Sequence, residues 1–234
     1  MQQFFSMLFL IGLLFLLSIL TGLLPFATPP MLIGQAIQQQ AVDATGAANL
    51  VTSVVLGYRG IDTLGELSIL FAASAAGGLV LGKTVRAKKA TSENTGFILQ
   101  AGTDLLFPLL LVAGLYIVLH GHLTPGGGFQ GGVLLATAFF LPVLVRPGTS
   151  VSHKLLSVIE GLAGASFIAI GLLALYQGGE FLQPFLDKGI TGQLLSAGTL
   201  PLLYLAVGLK VGAELAGLLA NLSTEQDGEN DHVA

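Results

Sequence analysis

The stretch "GHLTPGGGFQGGVLLA", residues 121–136, decides the fold, because it is a glycine-rich segment between two strongly apolar runs. A phosphate-binding P-loop would need a Gly-Lys-Ser/Thr ending after a strand, and neither feature is present. Apolar runs of about 20 residues, enough for a helix to cross a bilayer, recur along the chain. We therefore interpret the stretch as a tight connection between two membrane-spanning helices.

The composition of the chain predicts its fold class. Charged residues make up 9% and hydrophobic residues 53% of the sequence, whereas a soluble domain carries about 25% charged residues. The apolar runs are continuous, unlike the short alternating strands of a β-barrel. These observations predict an all-α membrane protein with about six transmembrane helices, near residues 4–24, 63–82, 100–120, 129–145, 153–176 and 194–220.

The predicted spans fall into two groups. Residues 1–82 form a two-span unit, whose first span lacks the basic start of a signal peptide and is expected to be retained. Residues 83–97 form a polar linker, residues 98–220 a four-span bundle, and residues 221–234 a disordered acidic tail. Before the second span, "NLVTSVVLGYRG", residues 49–60, is too short to cross and is predicted to be an interfacial or buried half-helix.

The basic residues between the spans predict the orientation, because cytoplasmic connections carry an excess of Lys and Arg. Six lie on the side of the 83–97 linker and two on the opposite side: Lys83, Arg86, Lys88, Lys89, Arg146 and Lys154 against Arg59 and Lys188. We therefore expect the linker and both termini to be cytoplasmic.

Several classes of function are excluded or disfavoured by the sequence. The chain has no cysteine, so it holds no iron–sulfur cluster and no thiol nucleophile. A metal site at His120 and His122 would lack convergent acidic neighbours, and we predict no metal, cofactor or catalytic residue. A net charge of −4 without a basic patch argues against nucleic-acid binding.

Ionisable side chains inside spans are costly and are often functional. Glu66 has two interpretations: with Thr63 it matches a capping box, or it is an ion-path group within reach of Arg59. Asp104, near the start of the third span, either interacts favourably with the helix dipole or belongs to an ion path. His122, in the loop between the third and fourth spans, is a further ion-path candidate.

Three ionisable residues are predicted to meet within the membrane. Glu160 lies seven residues after His153, about 10 Å into the fifth span. Lys210 lies about 15 Å before the end of the sixth span, and Glu214 is one helical turn further on the same face. A cluster of Glu160, Lys210 and Glu214 would reduce the burial cost of each charge. It is either a structural ion pair between two helices or a stop on a proton or cation path.

The glycines are predicted to serve backbone geometry. In the 121–136 stretch, Thr124 is expected to cap the fourth span and Pro125 to occupy its first position. The remaining residues of the motif are expected to allow a tight turn and close helix packing: Gly126, Gly127, Gly128, Phe129, Gly131 and Gly132. Small residues also recur every four positions on the sixth span, where they predict a packing face: Gly208, Gly212, Ala216 and Ala220.

The same stretch closely resembles the signature of the MnhB/MrpB-like family, small membrane subunits of Mrp-type sodium/proton antiporters. That family includes subunits of membrane-bound hydrogenases and related respiratory complexes. "VIEGLAG", residues 158–164, and "GLKVGAEL", residues 208–215, are similar to the family as well, so the resemblance covers about residues 98–220. "VVLGYRGIDTLGELSILFAAS", residues 54–74, is similar to the C-terminal region of the large A-type antiporter subunit, which suggests a fusion of two subunits.

The resemblance implies a non-catalytic accessory subunit of a module that moves Na⁺ or H⁺ in the prokaryotic cytoplasmic membrane. Its partners would be the large antiporter-like subunits and the small membrane subunits, with hydrogenase-type peripheral subunits where the module belongs to a respiratory complex. The whole complex would then be an antiporter or an ion-translocating oxidoreductase. Two alternatives stay open: a structural scaffold that carries no ion, and an independent transporter with six spans.

Overall fold

The computed structural model describes residues 2–23, 32–81, 96–146, 149, 151–177 and 179–229. Every regular element within these ranges is a helix: α1 (Gln2–Leu23), α2 (Leu32–Thr45), α3 (Leu50–Thr52), a π-helix (Ser53–Tyr58), α4 (Gly60–Leu81), α5 (Phe97–Leu119), α6 (Gly128–Val145), α7 (His153–Tyr176) and α8 (Leu200–Glu229). Five of these helices are long and apolar enough to cross a membrane, and α1 contains a shorter apolar segment, Ser6–Gly22. The predicted all-α membrane fold with about six spans is confirmed.

The chain forms two compact units, Met1–Gln39 and Gln40–Ala234. The first contains α1, an apolar helix whose described side chains are exposed. The second contains α4 together with α5 to α8, because α4 packs against α8. The compact units therefore do not coincide with the predicted division into residues 1–82 and 98–220, and the predicted linker falls largely on residues 82–95, outside the described part.

Helix α8 is the centre of the second unit. Within its spanning part, Leu200–Ala220, 61% of an 18-residue apolar stretch is buried. The corresponding stretch of Gly60–Val80 in α4 is only 11% buried. It packs against α4, α5, α6 and α7. The side chains that it buries include Leu203, Val207 and Val211, which join the main hydrophobic core.

Small residues bring α6 and α8 into close contact. A Cβ atom added to Gly132 of α6 would lie 2.9 Å from the backbone oxygen of Gly208 on α8, and one added to Gly128 would lie 2.8 Å from the oxygen of Tyr204. Such spacing admits only a hydrogen atom at these positions. Because glycine faces let spanning helices approach closely, the packing role predicted for Gly128, Gly132 and Gly208 matches the observed contacts.

The helix ends differ from prediction at two places on α8. The helix begins at Leu200 rather than near residue 194, because Ala197 and Gly198 have positive φ angles of 66° and 58° and interrupt any earlier helix. At the other end it continues to Glu229. The helix thus continues past residue 221, where the acidic tail is predicted to begin, and residues 230–234 lie outside the described part.

The half-helix predicted at residues 49–60 is present as α3 and the π-helix. Asn49 caps it, since the side chain of Asn49 accepts a hydrogen bond from the backbone N–H of Val51. Its far end is closed by a bond from the Arg59 N–H to the Val54 carbonyl, the five-residue spacing of a π-helix. This short element lies beside the loop at residues 120–127. It positions the side chains of Asn49 and Thr52, which donate hydrogen bonds to that loop.

Candidate functional site

The central feature of the second unit is an ion cluster formed by Glu160, Lys210 and Glu214, called the triad below. The Lys210 Nζ atom donates to Glu214 Oε2 at 3.1 Å on the same helix and to Glu160 Oε1 at 3.4 Å on α7. Lys210 lies ten residues into α8, about 15 Å from its start by helical rise, in the middle of the spanning part. The predicted meeting of these three side chains is observed.

The three side chains of the triad differ in how much of each is exposed. The Glu214 side chain is fully buried, that of Lys210 is 10% exposed, and that of Glu160 is 23% exposed. The Oε1 atom of Glu214 is buried and finds no hydrogen-bond partner among the described residues. The cluster therefore has a closed end at Glu214 and a more open end at Glu160.

Three helices shape the space around the Lys210 ammonium group. The ring centroid of Phe71, on α4, lies 5.2 Å from Nζ, within the range of a cation–π contact. Gly164, one turn after Glu160 on α7, lies beside the lysine stem, since an added Cβ would make an ordinary contact of 3.5 Å with Lys210 Cδ.

The triad matters for the stability of the protein because its charged groups are buried. Removing one partner of a buried ion pair costs about 3–5 kcal/mol, because the remaining charge loses its compensation. With all three groups ionised, one ammonium group faces two carboxylates, so the triad carries one net negative charge. An arrangement of this kind can hold and release a monovalent positive charge, which is the chemistry that an ion path requires.

A second polar region lies in the loop between α5 and α6, at residues 120–127. This loop is called the glycine corner below. The side chain of Asn49 donates to the carbonyls of Gly121 and Thr124, both at 2.9 Å. The Thr52 hydroxyl donates to the same Gly121 carbonyl at 2.6 Å and pairs with the Tyr204 hydroxyl at 2.8 Å. The sequence analysis missed Asn49, Thr52 and Tyr204, since their partners lie 69 to 152 positions away.

The glycine corner is not capped as predicted. Helix α6 begins at Gly128, with Gly127 as its N-cap and no side-chain cap. The Thr124 hydroxyl instead donates to the His120 carbonyl at 3.3 Å, and Pro125 lies outside the helix. The physical reason is the backbone of Gly126 and Gly127, whose φ angles of 144° and 128° turn the chain after the proline and delay the start of the helix.

Of the other motif residues, Gly131 and Gly132 face close neighbours on other helices. A Cβ at Gly131 would lie 2.8 Å from the Gly114 carbonyl of α5, so α6 fits between α5 and α8. Phe129 packs against the main core. These motif residues therefore shape the turn before α6 and pack α6 against its neighbours.

His122 is fully buried within the glycine corner. Its Nε2 atom lies 3.4 Å from the Gln193 carbonyl of the loop before α8, and its Nδ1 atom finds no partner among the described residues. Burial lowers the pKa of His122 below 6.5, the backbone carbonyls of Gln193 and Leu194 oppose this shift, and the charge of His120 adds to it. His122 is therefore held in its neutral form, away from the triad.

Glu66 lies on an exposed face of α4. The predicted capping box is wrong, because α4 begins at Gly60 and the Thr63 hydroxyl donates to the Val55 carbonyl at 3.0 Å. Arg59 does not reach Glu66 either, since it pairs with Asp62 at 2.5 Å. No ion pair among the described residues joins Glu66 to the triad, and its side chain is exposed.

Asp104 forms an ion pair with Arg146, which joins α5 to the end of α6. Both side chains are about half exposed. Because α5 begins at Phe97, Asp104 lies in its second turn and beyond the reach of the first-turn dipole effect. The dipole interpretation is therefore wrong, and the pair lies apart from the triad.

Comparison with protein-family models gives one match. Residues 98–217 match the model described as a domain related to the MnhB subunit of Na⁺/H⁺ antiporters. This match covers the part of the chain that contains the glycine corner and the triad.

Two curated relatives are similar to this chain. The chain is 34% identical over 204 residues to an uncharacterised protein of Methanocaldococcus jannaschii, covering 76% of this chain and 78% of that protein. It is 28% identical over 134 residues to the putative antiporter subunit mnhB2 of Staphylococcus aureus strain Newman, covering 54% of this chain and 93% of the relative.

Two solved structures share the fold. A chain of the membrane-bound sulfane sulfur reductase, an archaeal respiratory membrane complex, matches with a TM-score of 0.78 and 36% identity, covering 94% of this chain and 97% of that chain. A chain of the Mrp complex from Dietzia sp. DQ12-45-1b matches with a TM-score of 0.74 and 22% identity. That second match covers 94% of this chain and 25% of the Dietzia chain, and it shows the fold alone.

Proposed function

Because the chain belongs to the family of domains related to the MnhB subunit of Na⁺/H⁺ antiporters, we propose that it contributes to the ion path of a cation/proton-translocating membrane complex. It is an accessory subunit without a catalytic residue of its own. The observation that carries the proposal is the triad, a buried group of charges halfway along the central helix. Such groups in spanning segments are costly to bury and commonly mark ion or proton pathways.

The proposed setting is a multi-subunit complex in the prokaryotic cytoplasmic membrane. Its partners are large antiporter-like subunits and small membrane subunits. The likeness to the sulfane sulfur reductase chain extends over nearly the full length of both chains, which favours a respiratory complex, of the sulfur-reducing or hydrogenase type, over a stand-alone antiporter. In that setting residues 54–74 represent a fused segment related to the C-terminal region of the large A-type antiporter subunit, and both termini are cytoplasmic.

The proposed path has one core and three outlying residues. The triad is the core because its three side chains touch. Glu66 on the exposed face of α4 would meet a partner protein, while Asp104 and His122 lie at opposite ends of the bundle and would act only at an entrance or exit. We therefore rank these three below Glu160, Lys210 and Glu214.

The test is made on the whole purified complex in vesicles. Glu66→Gln, Glu160→Gln and Lys210→Ala are each assayed for assembly of the complex and, separately, for Na⁺ and H⁺ movement. Asp62→Asn serves as a control, since it removes a carboxylate from an exposed ion pair outside the triad. We expect assembled complexes with impaired transport for the triad variants; normal transport in all assembled variants would refute the ion path.

A structural scaffold is the second candidate function. The close packing of α6 on α8 through Gly128, Gly132 and Gly208 favours it, because a rigid bundle is what a joining subunit needs. This candidate predicts that triad variants fail to assemble while any assembled remainder transports normally. The assembly and transport readouts of the same experiment separate the two functions.

A further inference from the structure

We propose that the exchangeable positive charge of the triad is a proton, and that it is bound by the carboxyl group of Glu214. The inference rests on the proposed ion path and specifies which atom of the path carries the proton. It follows from three observations: the net charge of the triad, the unpartnered oxygen of Glu214, and the position of the Lys210 ammonium group between the two carboxylates.

The first observation is the charge. One lysine and two glutamates leave the triad with one net negative charge when all are ionised. An uncompensated charge in a low-dielectric interior is strongly unfavourable and is normally neutralised. Binding one proton makes the triad neutral, so the structure contains a site for a single monovalent cation.

The second observation identifies the group. Glu214 has a fully buried side chain, and its Oε1 atom finds no hydrogen-bond partner among the described residues. An unpartnered oxygen costs much less on a neutral carboxyl group than on a carboxylate. Glu160 is the less buried of the two, and its Oε1 atom accepts from Lys210 Nζ. The proton therefore belongs on Glu214, leaving Lys210 and Glu160 as a balanced ion pair.

The third observation favours a proton over a metal cation. Hard cations bind through several oxygen ligands, whereas the triad has two carboxylates, and one oxygen of each already accepts from Lys210 Nζ. A metal ion between the carboxylates would have to displace the ammonium group. A proton needs no coordination shell and fits at a single oxygen.

The geometry also gives the route of the proton. Lys210 Nζ lies at hydrogen-bond distance from both carboxylates, 3.4 Å on the Glu160 side and 3.1 Å on the Glu214 side. In the balanced step, the ammonium group gives a proton to the Glu214 carboxylate and becomes a neutral amine. The amine then takes a proton from the protonated Glu160 carboxyl group. One proton has moved from the open end to the closed end, and Lys210 has regained its charge.

The test is infrared difference spectroscopy on the intact complex at neutral pH, which detects the C=O stretch of protonated carboxyl groups. We expect wild type minus Glu214→Gln to show one such band that shifts in D₂O, and wild type minus Glu160→Asp, which keeps the charge of the triad, to show none. Glu214→Asp, which keeps the carboxyl group, should retain a band at a changed frequency. Asp62→Asn is the control and should leave the spectrum unchanged.

The outcomes separate this inference from the proposed function. Absence of the Glu214-dependent band, or a band whose frequency changes with Glu160→Asp and not with Glu214→Asp, overturns the assignment whether or not transport depends on the triad. If the band is present and assembled Glu214→Gln complexes transport normally, the proton is correctly placed and the ion path itself is refuted. A band that depends on Glu214 together with lost transport supports both.

Discussion

The triad and the glycine corner are both buried and polar, yet they are built in opposite ways. The corner consists of neutral groups, and the carbonyls of Gly121 and Thr124 accept hydrogen bonds from Asn49 and Thr52. The triad consists of charged groups whose charges do not balance. Each region also contains a buried atom without a partner among the described residues, Glu214 Oε1 in the triad and the neutral His122 Nδ1 in the corner. Lys210 lies only six residues beyond Tyr204, about 9 Å along α8.

The difference shows how each region contributes to stability. Satisfied neutral hydrogen bonds and tight glycine contacts fix one geometry, as expected of a structural joint. A charged cluster with one uncompensated charge lowers the stability of the protein, but it can bind and release a cation. The same central helix therefore carries a rigid joint at one end and an exchangeable group in its middle.

The largest expected effect comes from Lys210→Met. It leaves the Glu160 carboxylate without its cation partner, beside the protonated Glu214, which should destabilise the protein by about 3–5 kcal/mol. Thermal unfolding of the complex measures it. The double variant Lys210→Met with Glu160→Gln removes the remaining charge and should recover much of the loss. Equal stability of the single and double variants would contradict a charge-dominated triad.

A smaller effect is expected at the glycine corner, from Gly127→Ala. The φ angle of 128° is strained for alanine, and the new methyl group would collide with the Tyr204 ring. We expect a loss of about 1–3 kcal/mol, seen as a lower unfolding temperature. Gly102→Ala in α5 is the matched control, because nothing lies within 4 Å of its added Cβ. Similar stability of the two variants would show that the corner is not tightly packed.

The corner should also respond to acid through His122. Its folded pKa is lowered from 6.5 by burial, so the unfolded state binds the proton more readily. The stability from neutral His122 is complete above 6.5 and is lost as the pH falls through and below that value. The protection of amides in residues 120–127 against hydrogen exchange, relative to their intrinsic rates at each pH, should therefore fall on acidification, and His122→Gln should remove this pH dependence of the protection. Protection in the variant that still follows pH would assign the effect to another group.

The smallest expected effect is that of Asp104→Asn. The pair with Arg146 is about half exposed, and exposed ion pairs contribute about 0–1 kcal/mol. Unfolding temperatures of wild type and variant should lie close together, and high salt should reduce the difference further. A loss as large as that of Lys210→Met would mean that partner proteins bury this pair in the complex.

Much of the fold could be predicted from the sequence because each span is a continuous apolar run. The bounds of α7 match the prediction because Ser152 caps it and its apolar run has clear ends. The triad could be predicted as well, since Lys210 and Glu214 are four residues apart on one helix and depth counting places Glu160 at a similar level. Local periodicity and helical rise are sufficient for such contacts.

The errors arise where the chain departs from regular local rules. The cap assigned to Thr124 failed because two glycines with positive φ follow it, and the capping box at Thr63 failed because the preceding π-helix places the start of α4 at Gly60. Asn49 and Thr52 donate to the Gly121 carbonyl, and Thr52 also pairs with Tyr204, so these hydrogen bonds join segments far apart in sequence. Nothing in their local patterns distinguishes them from ordinary loop or core residues.

The most direct test of the central claim is the rate of proton uptake into vesicles that contain the assembled complex with Glu214→Gln. A proton relay that loses its acceptor should slow by about 100-fold or more, while Asp62→Asn complexes keep the wild-type rate. The account predicts this loss in complexes whose protein composition is intact. A wild-type rate in assembled Glu214→Gln complexes would contradict it.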